Sequence, residues 1–194
     1  YGNVATGFKA GGFYPSQAPN TFAPEKLTAY TLGSKNRFLD NTLQVNLEGF
    51  YWIYKDKQVT HIGPVRPVGY NLITENAGRA EVYGADAEIV WQPSVADRLT
   101  ASAQYLHAKY TDFVYTQTIA VGPPQTACSV SPIAGAQAVS VDCSGHVLPR
   151  APRWTANLSY QHTFDLGARG HLDVMLGTRI ESESVLGEEY LPGQ

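Results

Sequence analysis

Residues 154–165 read Trp154-Thr155-Ala156-Asn157-Leu158-Ser159-Tyr160-Gln161-His162-Thr163-Phe164-Asp165. Trp154, Ala156, Leu158, Tyr160, His162 and Phe164 fall on one side of an extended chain. Thr155, Asn157, Ser159, Gln161, Thr163 and Asp165 fall on the other. Period-two alternation of this length is the signature of a β-strand with one wet face. Twelve residues also exceed the usual strand and reach the 9–11 that a tilted strand needs to cross a bilayer.

The same alternation recurs outward from this stretch. Leu99, Ala101, Ala103 and Tyr105 alternate with Thr100, Ser102 and Gln104, and Leu43, Val45 and Leu47 with Gln44, Asn46 and Glu48. In 172–181, Leu172, Val174, Leu176 and Ile180 oppose Asp173, Arg179 and Glu181. In 85–91, Ala85, Ala87, Ile89 and Trp91 oppose Asp86 and Glu88. Runs 1–9 and 25–38 complete a set of seven strands. No helical stripe competes with them.

The connections take turns in length. Short ones are Leu39-Asp40-Asn41, Pro93–Asp97 and Gly167–Gly170. Long ones are Ala10–Ala23, Thr60–Ile73 and Val114–Leu148, with Ser184 onward a fourth. Outer-membrane barrels have this pattern, with tight periplasmic turns and long extracellular loops. A soluble sandwich has no reason to gather every long loop at one end. The uncharged face carries aromatics near its ends (Trp91, Tyr105, Trp154, Phe164), as interfacial girdles require. Charges on the other face must meet water or a polar plug, because burying them unpaired is costly. The expected fold is therefore all-β: an antiparallel transmembrane β-barrel segment in the bacterial outer membrane.

Composition agrees. Of 194 residues, 16% are charged, below the roughly 25% of soluble domains. The net charge is −3 with no basic block, which excludes nucleic acid as a partner. No apolar run is long enough for a transmembrane helix, and a barrel needs none. The N-terminus is not a signal peptide, and both ends look cut, so a piece of a longer protein is expected.

Thr6-Gly7-Phe8-Lys9-Ala10-Gly11-Gly12-Phe13, then Pro24-Glu25-Lys26-Leu27-Thr28-Ala29-Tyr30 and Leu32-Gly33-Ser34-Lys35, resembles the barrel of TonB-dependent receptors. There a G-F-K/R strand end precedes a loop and a P-E…Y-E-x-G-x-K strand. Asn76-Ala77-Gly78-Arg79-Ala80-Glu81-Val82-Tyr83-Gly84-Ala85-Asp86-Ala87-Glu88 looks like its hairpin partner. Leu148-Pro149-Arg150-Ala151-Pro152-Arg153-Trp154 looks like the entry to a returning strand. Thr31 stands where the family usually has Glu, and Asp86 near a usual small or Leu position. The resemblance covers nearly the whole chain. It implies a barrel of about 22 strands, of which residues 1–194 are a part, with plug domain, TonB box and barrel C-terminus absent. It also implies uptake of a ferric siderophore or similar large scarce ligand, energised through the TonB complex, with outer-membrane lipid as surroundings. A passive pore or structural barrel and a soluble β-rich binding or adhesion module are the alternatives.

Cys128 and Cys143, the only cysteines, share the longest loop. Pairing in an oxidising compartment is the first reading; free thiols or a metal pair are the others. The five histidines (His61, His107, His146, His162, His171) have no metal-ligand spacing, and no cofactor is expected. His162 beside Phe164 suits an interface. Asp86 and Glu88 share the polar face, where ion pairs with Arg or Lys are favoured over acid–base work. No nucleophile elbow or phosphate loop appears, so no enzyme is expected. Ligand contacts are expected from aromatics and cations in the long loops and outer strand ends: Phe13, Tyr14, Trp52, Tyr54, His61, Arg66, Tyr70 and Tyr115.

Overall fold

The computed structural model describes residues 1–13, 21–64, 70–76, 78–119 and 124–191; for 61–64, 70–73 and 118 it describes the backbone alone. The strands in chain order are β1 (Gly2–Lys9), β2 (Gly12–Phe13), β3 (Thr21–Phe22), β4 (Glu25–Phe38), β5 (Leu43–Lys55), β6 (Gln58–Pro64), β7 (Tyr70–Asn76), β8 (Arg79–Trp91), β9 (Asp97–Asp112), β10 (Val114–Thr118), β11 (Ser129–Pro132), β12 (Ala138–Asp142), β13 (Trp154–Asp165) and β14 (His171–Glu181). Among the described residues the only helix is a single 3₁₀ turn, Gly167–Arg169.

Seven long strands form one antiparallel meander in the order β1-β4-β5-β8-β9-β13-β14. These are the seven runs expected from alternation. The sheet is not closed; β1 and β14 are its edges. β4–β5, β8–β9 and β13–β14 are joined by the three short turns, so every long connection lies at the opposite end. At the first turn Leu39, Asp40 and Asn41 all take positive φ, and the Thr42 N–H and hydroxyl both donate to the Leu39 carbonyl.

Three strands run further than their alternation. β5 continues to Lys55, β8 begins at Arg79, and β9 continues to Asp112. Gly49-Phe50-Tyr51-Trp52-Ile53-Tyr54 hides its strand period because both its faces are apolar. The long connections also carry structure of their own. β2 pairs with β3, β6 with β7, and β10-β12-β11 makes a three-stranded sheet. Thr60–Ile73 is thus largely a hairpin rather than an irregular loop, and Val114–Leu148 contains a small sheet.

Candidate functional site

Register turns alternation into rows that cross the sheet. On the polar face one row runs Lys35, Asn46, Glu88, Ser102, Asn157, Arg179 across six strands. The Asn46 amide donates to Glu88 (2.9 Å), the Asn157 amide to the Ser102 hydroxyl (3.1 Å), and Arg179 to Glu181 (2.8 Å). The next row adds Glu48, Asp86 and Gln104. The Tyr1 hydroxyl donates to Glu48, and Lys35 lies 5.5 Å from the Tyr1 ring centre. Apart from Arg179 and Glu181, these side chains line an open concavity of about 470 Å³. The expected ion pairs of Asp86 and Glu88 are not seen among the described residues; Glu88 is held by an amide instead.

The opposite face carries two aromatic rows. Tyr30, Tyr51, Tyr83 and His107 are cross-strand partners on β4, β5, β8 and β9, with adjacent ring centres 6.5, 6.4 and 4.6 Å apart. Near the short turns, Phe38, Leu43, Trp91, Leu99, Tyr160 and Leu176 form the second. From Tyr83 to Trp91 is about 26 Å along the strand, or roughly 20 Å of depth at a barrel tilt of about 40°. The intervening residues are Ala85, Ala87 and Ile89 on β8, Tyr105, Ala103 and Ala101 on β9, and Ala156 and Leu158 on β13; on β4, Ser34 and Asn36 interrupt the apolar run. Leu32, Leu158, Leu176 and Ile180 are all 48% exposed or more. Two belts enclosing a bare apolar band match a membrane-facing surface. We take the strand segments between the belts as the membrane span. At its short-turn rim, Tyr160 and His162 both hydrogen-bond Asp97 (2.6 and 2.7 Å), and the His162 and Phe164 rings meet edge to face at 4.4 Å.

Beyond the tyrosine belt the polar face changes character. Phe50, Val82 and Ala108 are buried, with Trp52, Tyr54 and Leu106 against them. Gly84 makes room here: a Cβ would collide with the Tyr105 carbonyl and the Phe50 ring. The cover comes from the connection after β9. The Leu106 N–H donates to the Arg153 carbonyl, the Leu148 N–H to Ala108, and the Tyr110 N–H to His146 (2.9, 3.0 and 2.9 Å). This pairing continues the β9–β13 edge, but residues 148–153 are too many for the span, so Leu148 and Ala151 bulge onto the apolar patch.

Above lies a second core: Val59, Ala80, Tyr110, Phe113, Cys128, Val139, Val141, Cys143 and Tyr190. It joins three long connections into one cap. Cys128 and Cys143 form a disulfide, settling their pairing. The Tyr110 hydroxyl donates to Glu188 and the Tyr190 hydroxyl to the Val147 carbonyl, both at 2.8 Å. The Ala127 N–H donates to the Glu189 carbonyl and the Arg150 N–H to Val185. Burial, and then the adjacent Glu188, push the Tyr110 phenol far above its ordinary value, so it stays a donor. The first connection is tied in by polar clamps. The Gln58 side chain donates to the Ala10 and Ala23 carbonyls (2.8 and 3.2 Å), and Asn76 both accepts from and donates to the Ala23 backbone.

The expected ligand contacts distribute as follows. Phe13 is exposed on β2. The Trp52 ring meets Phe50 at a tilt, 4.8 Å between centres, Tyr54 packs against both cores, and Tyr115 packs beside Phe113 at 5.4 Å. His61 and Tyr70 lie on the β6–β7 hairpin, where only backbone is described; Tyr14 and Arg66 lie outside the described residues. Gln58, Asn76, Tyr110 and Tyr190, which organise the cap, were not among the sequence candidates. Among the described residues no cluster of metal-ligating side chains occurs.

Residues 1–191 match the family model described as TonB dependent receptor-like, beta-barrel. The chain belongs to this family. Its members are receptors and transporters of the Gram-negative outer membrane. Among solved structures, the chain is similar to the ferric yersiniabactin uptake receptor FyuA from Yersinia pestis: 18% identity, TM-score 0.65, covering 97% of this chain and 24% of that one. A second is the siderophore receptor PirA from Acinetobacter baumannii: 15% identity, TM-score 0.46, covering 92% and 31%. The chain thus spans about a quarter to a third of these receptors' lengths. No curated protein matches.

Proposed function

We propose that this chain is part of an outer-membrane receptor that takes up a ferric siderophore, or a similarly large and scarce ligand, with energy delivered by the TonB complex. The observation that carries the reading is the family match across residues 1–191, on a sheet whose long connections gather at one end. The polar rows face a plug and water, the belted face lies in lipid, and the capped end is extracellular. The seven strands make up roughly a third of a closed barrel of about 22. Plug and TonB box belong to other parts of the same receptor. The protein binds and moves its ligand and performs no covalent chemistry.

Phe13, Tyr14, His61, Arg66 and Tyr70 are the proposed ligand contacts, by stacking and by pairing with an anionic chelate. Trp52, Tyr54 and Tyr115 contribute through packing of the cap. Deleting the gene should abolish growth on one ferric chelate as sole iron source. Plasmid-borne receptor should restore growth only in cells with a working TonB system. Equal uptake without TonB would show a passive pore and overturn the reading.

A further inference from the structure

The polar face of the sheet changes from strand to strand. On β9 and β13 it consists of the cross-strand pairs Gln104–Thr155, Ser102–Asn157, Thr100–Ser159 and Arg98–Gln161, in order from the capped end towards the short turns. Arg98, at the lower end, is the one charge among them. Charges stand on both sides instead: Lys35, Glu48, Asp86 and Glu88 on β4, β5 and β8, and Asp173, Arg179 and Glu181 on β14. A neutral lane two strands wide therefore runs down the wall between charged flanks. Apart from the Asn157–Ser102 bond, its hydroxyls and amides make no hydrogen bond to protein among the described residues. The concavity on the polar face reaches the upper end of the lane through Gln104, Thr155, Ser102 and Asn157. Lower down, Ser159 lies between Thr100 and Gly177, so these three strands present only small side chains there. Gly177 has no positive φ, and a Cβ there would meet nothing closer than 3.7 Å. Neither the backbone nor packing within the described sheet calls for glycine, which weakens a strand and marks places where a ligand or another backbone comes close.

We propose that this lane is the stretch of barrel wall along which the ferric chelate passes from the cap towards the periplasm, between wall and plug. The inference rests on the uptake reading given above and adds the strands that line the route. A buried charge needs a partner, so the flanks hold a plug at fixed ion pairs, while the lane offers it none above Arg98. Hydroxyls and amides exchange one oxygen acceptor for the next at little cost. A route requires this, since each contact must be good enough to enter and weak enough to leave. Glu48, Asp86 and Glu88 repel an anionic chelate from one flank, and Arg98 draws it towards the lower end. The chelate that fits is neutral or anionic and rich in oxygen acceptors.

The test uses the whole receptor in cells with a working TonB system. The probe is radioactive iron carried by the chelate that the growth experiment selects. Ser159→Trp fills the lane with a ring. Initial uptake should fall at least about tenfold, while binding to chilled cells is unchanged. Thr100→Trp, its register partner on β9, should give the same split, so a variant that misfolds leaves the other to decide. Gln44→Trp lies at the same depth on β5, outside the lane, and should leave uptake unchanged. Heat-modifiable mobility on gels reports whether each variant is a folded barrel. Unchanged uptake by folded S159W or T100W would overturn the lane. An equal loss in Q44W would also overturn it, by showing that crowding the plug from any side stops transport. Loss of binding together with uptake would do the same, by placing the defect in capture rather than passage. A receptor that restores growth on no ferric chelate would refute the uptake reading itself, so the two failures are distinguishable.

Discussion

The two ends of the sheet are built for different surroundings. From the tyrosine belt down to the short turns, none of the described residues between Gly84 and Tyr105, or between Trp154 and Glu181, is buried. One face is polar and wet, and the other is a mainly apolar band of exposed side chains. At the capped end, Tyr110, Val141 and Cys143 are all fully buried, and a disulfide and a lattice of backbone hydrogen bonds surround them. The cap carries its own core; on the proposed reading the lower sheet takes its apolar environment from lipid. Perturbations should therefore act on one end and leave the other intact.

The largest separation should come from Tyr110→Ala. It removes a fully buried ring and the hydroxyl that anchors Glu188, at a cost of about 3–5 kcal/mol. Hydrogen exchange should accelerate across 113–148 and 185–191, while β13 and β14 stay protected. Uniform acceleration through β13 would show that cap and span are one cooperative unit. The converse probe is Ala103→Arg, midway between the belts on the apolar face, against Ser102→Arg on the polar one. A lipid-facing arginine at mid-depth costs about 2–4 kcal/mol, and a lumen-facing one far less. Equal stability of the two variants in urea-titrated vesicles would assign the faces wrongly. Reducing Cys128–Cys143 should be milder. Opening a closed loop with a separation of 15 residues releases about 3 kcal/mol at most, all of it within the cap. It should retard the denatured band on gels and loosen 113–143 to protease. Unchanged protease sensitivity would mean the core alone orders the loop.

This division explains what the sequence made legible. Trp154–Asp165 announces itself because its two faces have opposite polarities, as the proposed lipid and water surroundings require. Most of the meander follows the same rule, and β4 follows it only in part, with Ser34 and Asn36 on the face of Tyr30 and Leu32. Phe50–Tyr54 breaks it, since cap and outer surface are both apolar there, and the strand ended too early in the sequence reading. The cap was less legible still. Its core joins Val59, Tyr110, Val141 and Tyr190, which are spread over more than a hundred positions, and no periodicity links them. The disulfide was readable from composition and compartment. Gln58 and Asn76 were not, because a clamp on distant carbonyls leaves no local pattern.

The smallest effect concerns pH and is confined to the cap. Asp142 ends β12 and accepts the Ser144 N–H at 2.9 Å, and the Ser144 hydroxyl accepts the Phe113 N–H at 3.0 Å. This relay fixes the turn beside Cys143. The Ser144 side chain and then its backbone N–H hold the Asp142 carboxyl below its ordinary value of 3.8. A depressed carboxylate contributes stability that is fully present above the unfolded value. That stability disappears as pH falls through the lower folded value. The cap should therefore be unaffected between neutrality and about pH 4.5, and loosen only below the ordinary carboxylate range. Asp142→Asn keeps an acceptor for the Ser144 N–H but removes the charge. It should show the small loss at neutral pH and flatten the acid limb of the cap's protease sensitivity. An unchanged acid limb in D142N would place the responsible proton on another carboxylate.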